Sequence, residues 1–329
     1  MAGGTIKDLD AAFGMRIQHF TENDEVIQLA IGTGSFIYRC EPWKGVYLWL
    51  NQIKDRSLPA ETTTIRYVTI NYCLSGRCEV RLPDDTYIYM KPGMLSIDAR
   101  EPVDGYYYPT GNYVGLELAF DLDTLEQNSP ESLTDYGDVL GWIAHITEEN
   151  EGSCSAYVSD SCRELIQTVC TNLMKRSVSL QAYRFQTLSL LVQLMNGGIT
   201  PIQETDYVTK GQRYIVTQVE RKIAADLSVH YTIRDLAKEY GISPSSLKLY
   251  FEKVYGMPIS GYLRDMRIAY AQQLLQDTTM KIGSIAAACG YSHQGKFGTV
   301  FRQCTGMTPL EYRRLNYRSE GEDNNSETQ

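Results

Sequence analysis

Two stretches of this chain repeat one another, and the residues they share are those that turn one helix into a second. The first stretch runs Leu236-Ala237, Gly241, Ser243, Leu247, Phe251, Gly256-Met257, Tyr262 and Arg264. The second runs Ile285-Ala286, Gly290, Ser292, Phe297, Phe301, Gly306-Met307, Tyr312 and Arg314. The offset is 49 residues up to the serines and 50 beyond them, so one extra residue stands at the start of the second unit's later helix. The chemistry such units can do is recognition of duplex DNA. The second helix of a helix-turn-helix fits the major groove, where base edges present a distinct donor and acceptor code. Two units joined by one long helix reach two successive grooves, ~34 Å apart. A helical bundle that binds nothing is the plain alternative.

The elements that must position these residues follow from local chemistry. Thr232 caps a helix whose apolar positions are Ile233, Leu236, Ala237 and Tyr240, and Gly241 ends it. Ser243 caps the next helix with Pro244 at its first position and a stripe of Leu247, Tyr250, Phe251 and Val254, which Gly256 closes. In the second unit a helix over Ile282–Cys289 breaks at Gly290. Ser292 is expected to cap the following helix, with Phe297, Val300 and Phe301 inward, and Gly306 ends it. Thr308-Pro309 starts a last short helix through Tyr312. Between the units, Pro258 to Gln276 reads as one long helix with Tyr262, Leu263, Met266, Ala269 and Leu274 inward.

Charge singles out the same segment. The whole chain of 329 residues carries −9, which taken alone argues against nucleic acid. Residues 213–318, however, hold 15 Lys+Arg against 8 Asp+Glu, whereas residues 1–212 hold 16 basic against 28 acidic residues. A basic module following an acidic one is the electrostatic footprint of a nucleic-acid binder that carries a second domain. The last residues, 317–329, are acidic and almost without apolar side chains, and are expected to be a disordered tail.

The basic segment resembles the DNA-binding domain of the AraC/XylS family of bacterial transcription regulators. The resemblance covers Tyr214 to Arg314. It is most specific in Ile285-Ala286-Ala287-Ala288-Cys289-Gly290-Tyr291-Ser292, Phe297, Phe301-Arg302, Gly306-Met307-Thr308-Pro309 and Tyr312-Arg313-Arg314. It implies base-facing positions at Ser245, Ser246, Lys248 and Leu249 of the first recognition helix, capped by Ser243. In the second they fall at Gln294, Gly295, Lys296, Gly298 and Thr299. Lys248 suits a guanine edge or a phosphate, Gln294 pairs bidentately with adenine, and Thr299 suits a thymine methyl or a phosphate. Leu249 departs from relatives that place Arg there, and Gly295 and Gly298 each weaken a helix by ~1 kcal/mol relative to alanine. Arg264, Arg267, Arg302, Arg313 and Arg314 are candidates to clamp phosphates. The resemblance also implies a homodimer, RNA polymerase as a protein partner, and activation.

The acidic half reads as short strands: Val26–Ile31, Phe36–Cys40, Val46–Ile53, Ile65–Leu74, Cys78–Leu82, Thr86–Met90, Met94–Ile97, Gly105–Tyr108 and Tyr113–Phe120. Strands at this spacing argue for a sandwich or barrel. The Ser75-Gly76 turn, the hairpin after it and Pro92-Gly93 resemble the cupin-like barrel that forms the N-terminal domain of many AraC relatives. The expected architecture is an α+β multidomain chain: an N-terminal cupin-like β-barrel with flanking helices and a C-terminal all-α double helix-turn-helix. Its boundaries are a barrel over 1–130, a helical dimerisation region over 131–198, a flexible linker over 199–212, a DNA-binding domain over 213–316, and the tail. In the helical region, Ser161–Met174 and Gln181–Met195 are long and amphipathic.

The barrel is rich in aromatic residues that could line a site for a small organic effector. Trp49, Tyr47, Tyr72, Tyr106 and Tyr108 are the candidates, with Arg66 to pair an acidic group; half-buried core residues are the alternative reading. Residues 70–120 contain no histidine, which disfavours the metal-centred chemistry of enzymatic cupins, and no nucleophile elbow, Walker loop or paired-carboxylate motif occurs. The expectation is therefore a non-enzymatic, cofactor-free, effector-controlled regulator of the cytoplasm. A constitutive or partner-controlled regulator and a barrel enzyme with an appended DNA module are the rivals. The eight cysteines form no Cys-x-x-Cys pair and read as reduced thiols, most of them buried. No apolar run reaches the ~20 residues of a membrane span, and the first residues lack an apolar signal core.

Overall fold

Alternation of apolar and polar residues makes the acidic half a sheet, and the two faces of that sheet have different neighbours. The computed structural model describes residues 17–22, 25–31, 34–58, 66–82, 84–99, 105–135, 138–202 and 207–317. The chain divides into two units, Met1–Lys210 and Gly211–Gln329. In the first, the strands are β1 (Ile17–Glu22), β2 (Ile27–Ile31), β3 (Ser35–Trp43), β4 (Val46–Ile53), β5 (Ser57–Leu58), β6 (Tyr67–Gly76), β7 (Cys78–Arg81), β8 (Thr86–Met90), β9 (Met94–Asp98), β10 (Tyr106–Tyr107), β11 (Tyr113–Asp121), β12 (Ser153–Val158), β13 (Ile199–Pro201) and β14 (Val208–Thr209). Nine form one antiparallel sheet in the order β1-β2-β3-β4-β11-β6-β9-β12-β13; β14-β8-β7 and β10-β5 are separate small sheets.

The expected closed barrel is thus corrected to an open sheet among the described residues. The hairpin β7–β8 pairs with β14 instead of continuing the large sheet, which leaves β1 and β13 as its edges. Strand parity sorts the side chains. Leu48, Leu50, Ile70, Tyr72, Leu116, Leu118 and Phe120 point to a core shared with helices α4 (Asp160–Lys175) and α5 (Leu180–Gln193), which follow α1 (Leu122–Gln127), α2 (Ser132–Asp135) and α3 (Val139–Glu149). The other, inner face meets Cys78, Val80, Ile88 and Met90 of the small sheet through Ile53, Cys73, Met94 and Tyr113.

Two further expectations are revised. Residues 131–198 are not wholly helical: Glu151 and Gly152 adopt positive φ and turn the chain into β12, which pairs with β9. The expected flexible linker, 199–212, contributes β13 to β12 and β14 to β8, while its residues 203–206 lie outside the described set. The tail beyond Tyr317 also lies outside it.

The second unit is helical: α6 (Lys210–Ala225), α7 (Ile233–Glu239), α8 (Pro244–Tyr255), α9 (Ile259–Asp277), α10 (Ile282–Ala288), α11 (Gln294–Thr305) and α12 (Pro309–Asn316). Phe251, Tyr255 and Tyr262 form one aromatic contact group, and Phe297, Phe301 and Tyr312 another, one in each repeat. Tyr262, Ile268, Ala271 and Leu275 of the long helix α9 are buried; Ala269, expected inward, is exposed. Three- and four-residue steps keep Ile268, Ala271 and Leu275 on the side of the second repeat's core, while Tyr262 faces the first repeat and Ala269 falls off the first of these sides.

Candidate functional site

The first recognition helix is set by its cap. The Ser243 hydroxyl accepts the backbone N–H of Ser246 at 3.0 Å, Pro244 occupies the first turn, and Gly241 turns the chain before it at φ 64°. Leu247 and Phe251 are buried, which leaves Ser245, Lys248 and Leu249 on the exposed face; Ser246 is half-buried and its hydroxyl lies 2.9 Å from that of Ser243. Leu249 is 54 % exposed, with no intrachain reason for an apolar residue there.

The second recognition helix starts one residue later than expected. His293, not Ser292, is the cap residue, and its side chain makes no capping bond. The extra residue lies between the turn at Gly290 and the helix, so Gln294 takes the place of Pro244 and Phe297 that of Leu247. In this register Gly298 stands where Lys248 stands, and Thr299 where Leu249 stands. Gln294, Gly295, Lys296, Thr299 and Arg302 are exposed, and the Thr299 hydroxyl donates to the Gly295 carbonyl at 3.1 Å. A Cβ at Gly295 or at Gly298 would meet nothing within 4 Å. Internal packing therefore does not require either glycine.

A helix-turn-helix domain family model matches residues 236–315. Over 95 residues the chain is 36 % identical to the HTH-type transcriptional activator RhaR of Escherichia coli strain K12, covering 29 % of this chain and 34 % of RhaR. The chain thus spans about a third of the length of the curated relatives it matches. Among solved structures, it is similar to the C-terminal domain of AraT, a response regulator from Geobacillus stearothermophilus, at 29 % identity over 34 % of this chain and 94 % of that one, TM-score 0.32. A transcriptional regulator with an AraC-type DNA-binding domain from Chromobacterium violaceum matches at 29 % identity over 32 % of this chain and 95 % of that one, TM-score 0.30.

Residues 236–315 are a helix-turn-helix domain.

Within the helix-turn-helix domain the arginines divide by what they touch. Arg267 is not an exposed clamp: it donates to the carbonyls of Leu227 (2.9 Å) and Val229 (3.0 Å) and lies over the Tyr291 ring. It thereby ties the long helix to the loop before α7 and to the turn of the second repeat. Gly290 is needed at that junction, since its φ is 73° and a Cβ would stand 2.4 Å from Arg267 Nη2. Arg313 is likewise held, donating to the Met280 carbonyl at 2.7 Å. Arg264 is exposed beside Asp265 at 2.7 Å, and Arg302 and Arg314 are exposed.

In the first unit, the six effector candidates do not share one core cluster. Trp49 and Tyr47 are neighbours on the inner face, their rings 6.3 Å apart, with the Arg39 guanidinium 4.4 Å from the Tyr47 ring centroid. Tyr106 and Tyr108 belong to the core around Tyr113, on which Tyr108 stacks. Tyr72 leaves the set because its strand parity turns it to the helix-side core. Arg66 leaves it because its guanidinium is spent on Asp123 (2.7 Å) and Glu126 (2.9 Å) at the surface.

The inner face carries polar residues that the sequence reading passed over. Glu117 is buried, and the Asn51 amide donates to its Oε2 at 3.0 Å. Burial raises the Glu117 carboxyl to about 7, against a lowering by the Asn51 bond. Asn71, Ser96 and Ser155 continue the row across β6, β9 and β12 in register with Glu117. A polar residue at the centre of an otherwise apolar strand was the available signal.

Proposed function

We propose that the chain is a bacterial transcription regulator, of the activating kind, whose AraC-type domain binds an asymmetric duplex site under control of a small organic effector held by the N-terminal unit. The observation that carries the reading is the matched pair of exposed recognition faces: Ser245, Lys248 and Leu249 on one helix, Gln294, Lys296 and Thr299 on the other. Lys248 and Lys296 supply phosphate or guanine contacts, Gln294 reads adenine, and Leu249 reads a thymine methyl. Arg264 and Arg302 hold the backbone, while Arg267 fixes the two repeats for reading.

Two copies act together on DNA, paired through α4 and α5. Phe185 is 74 % exposed and Met174 is exposed on these helices, and an apolar face of this kind gains by burial against a second copy. Pairing raises the effective concentration of the second DNA-binding domain. The effector switches the protein by binding two of its conformations with different affinity. RNA polymerase is the protein partner and the cytoplasm the site of action; no helix among the described residues is long and apolar enough to cross a membrane. Footprinting of the full chain on its own upstream region tests the reading. The expected result is a protected site that Lys248→Ala weakens and Gln294→Ala relaxes in sequence; protection without sequence preference would overturn it.

A further inference from the structure

The inner face of the large sheet offers hydrogen-bond acceptors that the chain itself does not use. Asn51 gives its amide N–H to Glu117, and its Oδ1 is buried without a hydrogen-bond partner among the described residues; Asn51 is only 8 % exposed. The Ser155 hydroxyl, at the far end of the same row, is also buried and unpartnered. Leaving a buried acceptor unpaired is costly, so the position favours an occupant that brings donors. The acceptor beside Asn51 is a carboxylate, and aromatic rings flank the pair. Trp49 lies directly opposite Glu117 in the β4–β11 register. Tyr113 lies on the same strand face, with Tyr108 stacked at 5.0 Å.

We infer that the Asn51–Glu117 pair anchors the primary ammonium group of an aromatic amine, which makes that class of molecule the effector. The inference rests on the effector reading above. An ammonium group has three donors and no acceptor, which matches a carboxylate and an orphan amide oxygen. A carboxylic acid would bring a second acidic group beside Glu117, and an alcohol would bring one donor where two acceptors stand. An aromatic remainder suits the rings of Trp49 and Tyr113 on this face, because aromatic walls with a few polar groups are the usual lining of small-molecule sites. The titratable groups facing Glu117 are Cys78 of β7, Tyr108, and Tyr113 of its own strand; burial raises all three, so they stay neutral at pH 7. Arg39 is on the same face but two strands away, opposite Trp49. An incoming cation therefore finds Glu117 as its nearest charge and favours the ionised carboxylate.

The test is calorimetric titration of the full chain with three probes of one shape: phenethylamine, 2-phenylethanol and 3-phenylpropanoate. DNA affinity is measured in the same samples. The expected result is binding of phenethylamine at least tenfold tighter than of either other probe, with a tenfold or greater loss in Glu117→Gln. Asn51→Ser, which withdraws the orphan oxygen, is the second variant and is expected to lose at least threefold. Equal binding of phenethylamine by wild type and both variants overturns the inference. So does preferential binding of the alcohol or the acid, although a change in DNA affinity with either would uphold the effector reading. Binding of none of the three overturns the ammonium assignment, and DNA binding in those samples then judges the regulator reading by itself.

Discussion

The hydroxyl of Tyr113 donates a 2.6 Å hydrogen bond to Asn71 Oδ1 on the neighbouring strand, and its ring reaches there by lying along its own strand over Gly115. A Cβ at Gly115 would stand 2.1 Å from that hydroxyl and 2.4 Å from the ring carbon that bears it. Glycine is required by this close approach, since Tyr113 is fully buried and has nowhere to move. Gly115→Ala is expected to destabilise the full chain by about 1–3 kcal/mol, read as a lower urea midpoint. Tyr113→Phe removes only the hydrogen bond and is expected to cost ~1 kcal/mol.

Gly298 poses the opposite case. Its position in the second recognition helix is half-buried, with open space where a side chain would go. Gly298→Ala is expected to raise the stability of the chain by up to ~1 kcal/mol through helix propensity alone. The same change is expected to weaken DNA binding, because it puts a methyl group between the helix and the groove. A parallel gain in stability and in DNA affinity would contradict close backbone approach at this site.

Glu117 gives the N-terminal unit a pH dependence. Its folded carboxyl is raised by burial to about 7 from an ordinary 4.5. A carboxyl raised in this way contributes stability that is fully present below pH 4.5 and lost as pH rises through about 7. Glu117→Gln keeps an acceptor for the Asn51 amide and removes the titration. The variant is expected to gain on wild type between pH 5 and pH 8, by at most ~3 kcal/mol, and to hold a constant difference above that. Urea unfolding of both proteins across this range measures it; a difference independent of pH would contradict a buried, titrating Glu117.

The thiols should separate sharply. Seven cysteines are buried and Cys304 is exposed. Burial pushes Cys40, Cys73 and Cys170 up to about 12, so almost no thiolate is present there at neutral pH. Titration of the native chain with a thiol-reactive chromophore is expected to show one fast group, abolished by Cys304→Ser, and the remainder only on unfolding.

The DNA-binding repeats were legible because their shape is fixed by local chemistry. Gly241, Gly256, Gly290 and Gly306 all take the positive φ that ends a helix, and Thr232, Ser243 and Thr308 all cap with their side chains. The cap falls on His293 in place of Ser292 because the extra residue lies before the helix and not inside it. Arg267 could not be read as a tether, because its partners are carbonyls some forty residues away, which no side-chain pattern announces. In the N-terminal unit the strands were visible but their pairing was not. Whether Thr86–Met90 continues the large sheet or starts a small one depends on contacts far apart in sequence. The same holds for the inner face: Trp49 and Glu117 are opposed only through the β4–β11 register.

The most direct test of the account is the DNA affinity of the full chain for its own upstream region, compared with an unrelated duplex across a salt series. The account predicts preferential binding of the upstream site, with affinity falling steeply as salt rises. Lys248→Ala should lower the magnitude of the salt slope by about one if the lysine meets a phosphate. Equal affinity for both duplexes at every salt concentration would contradict it.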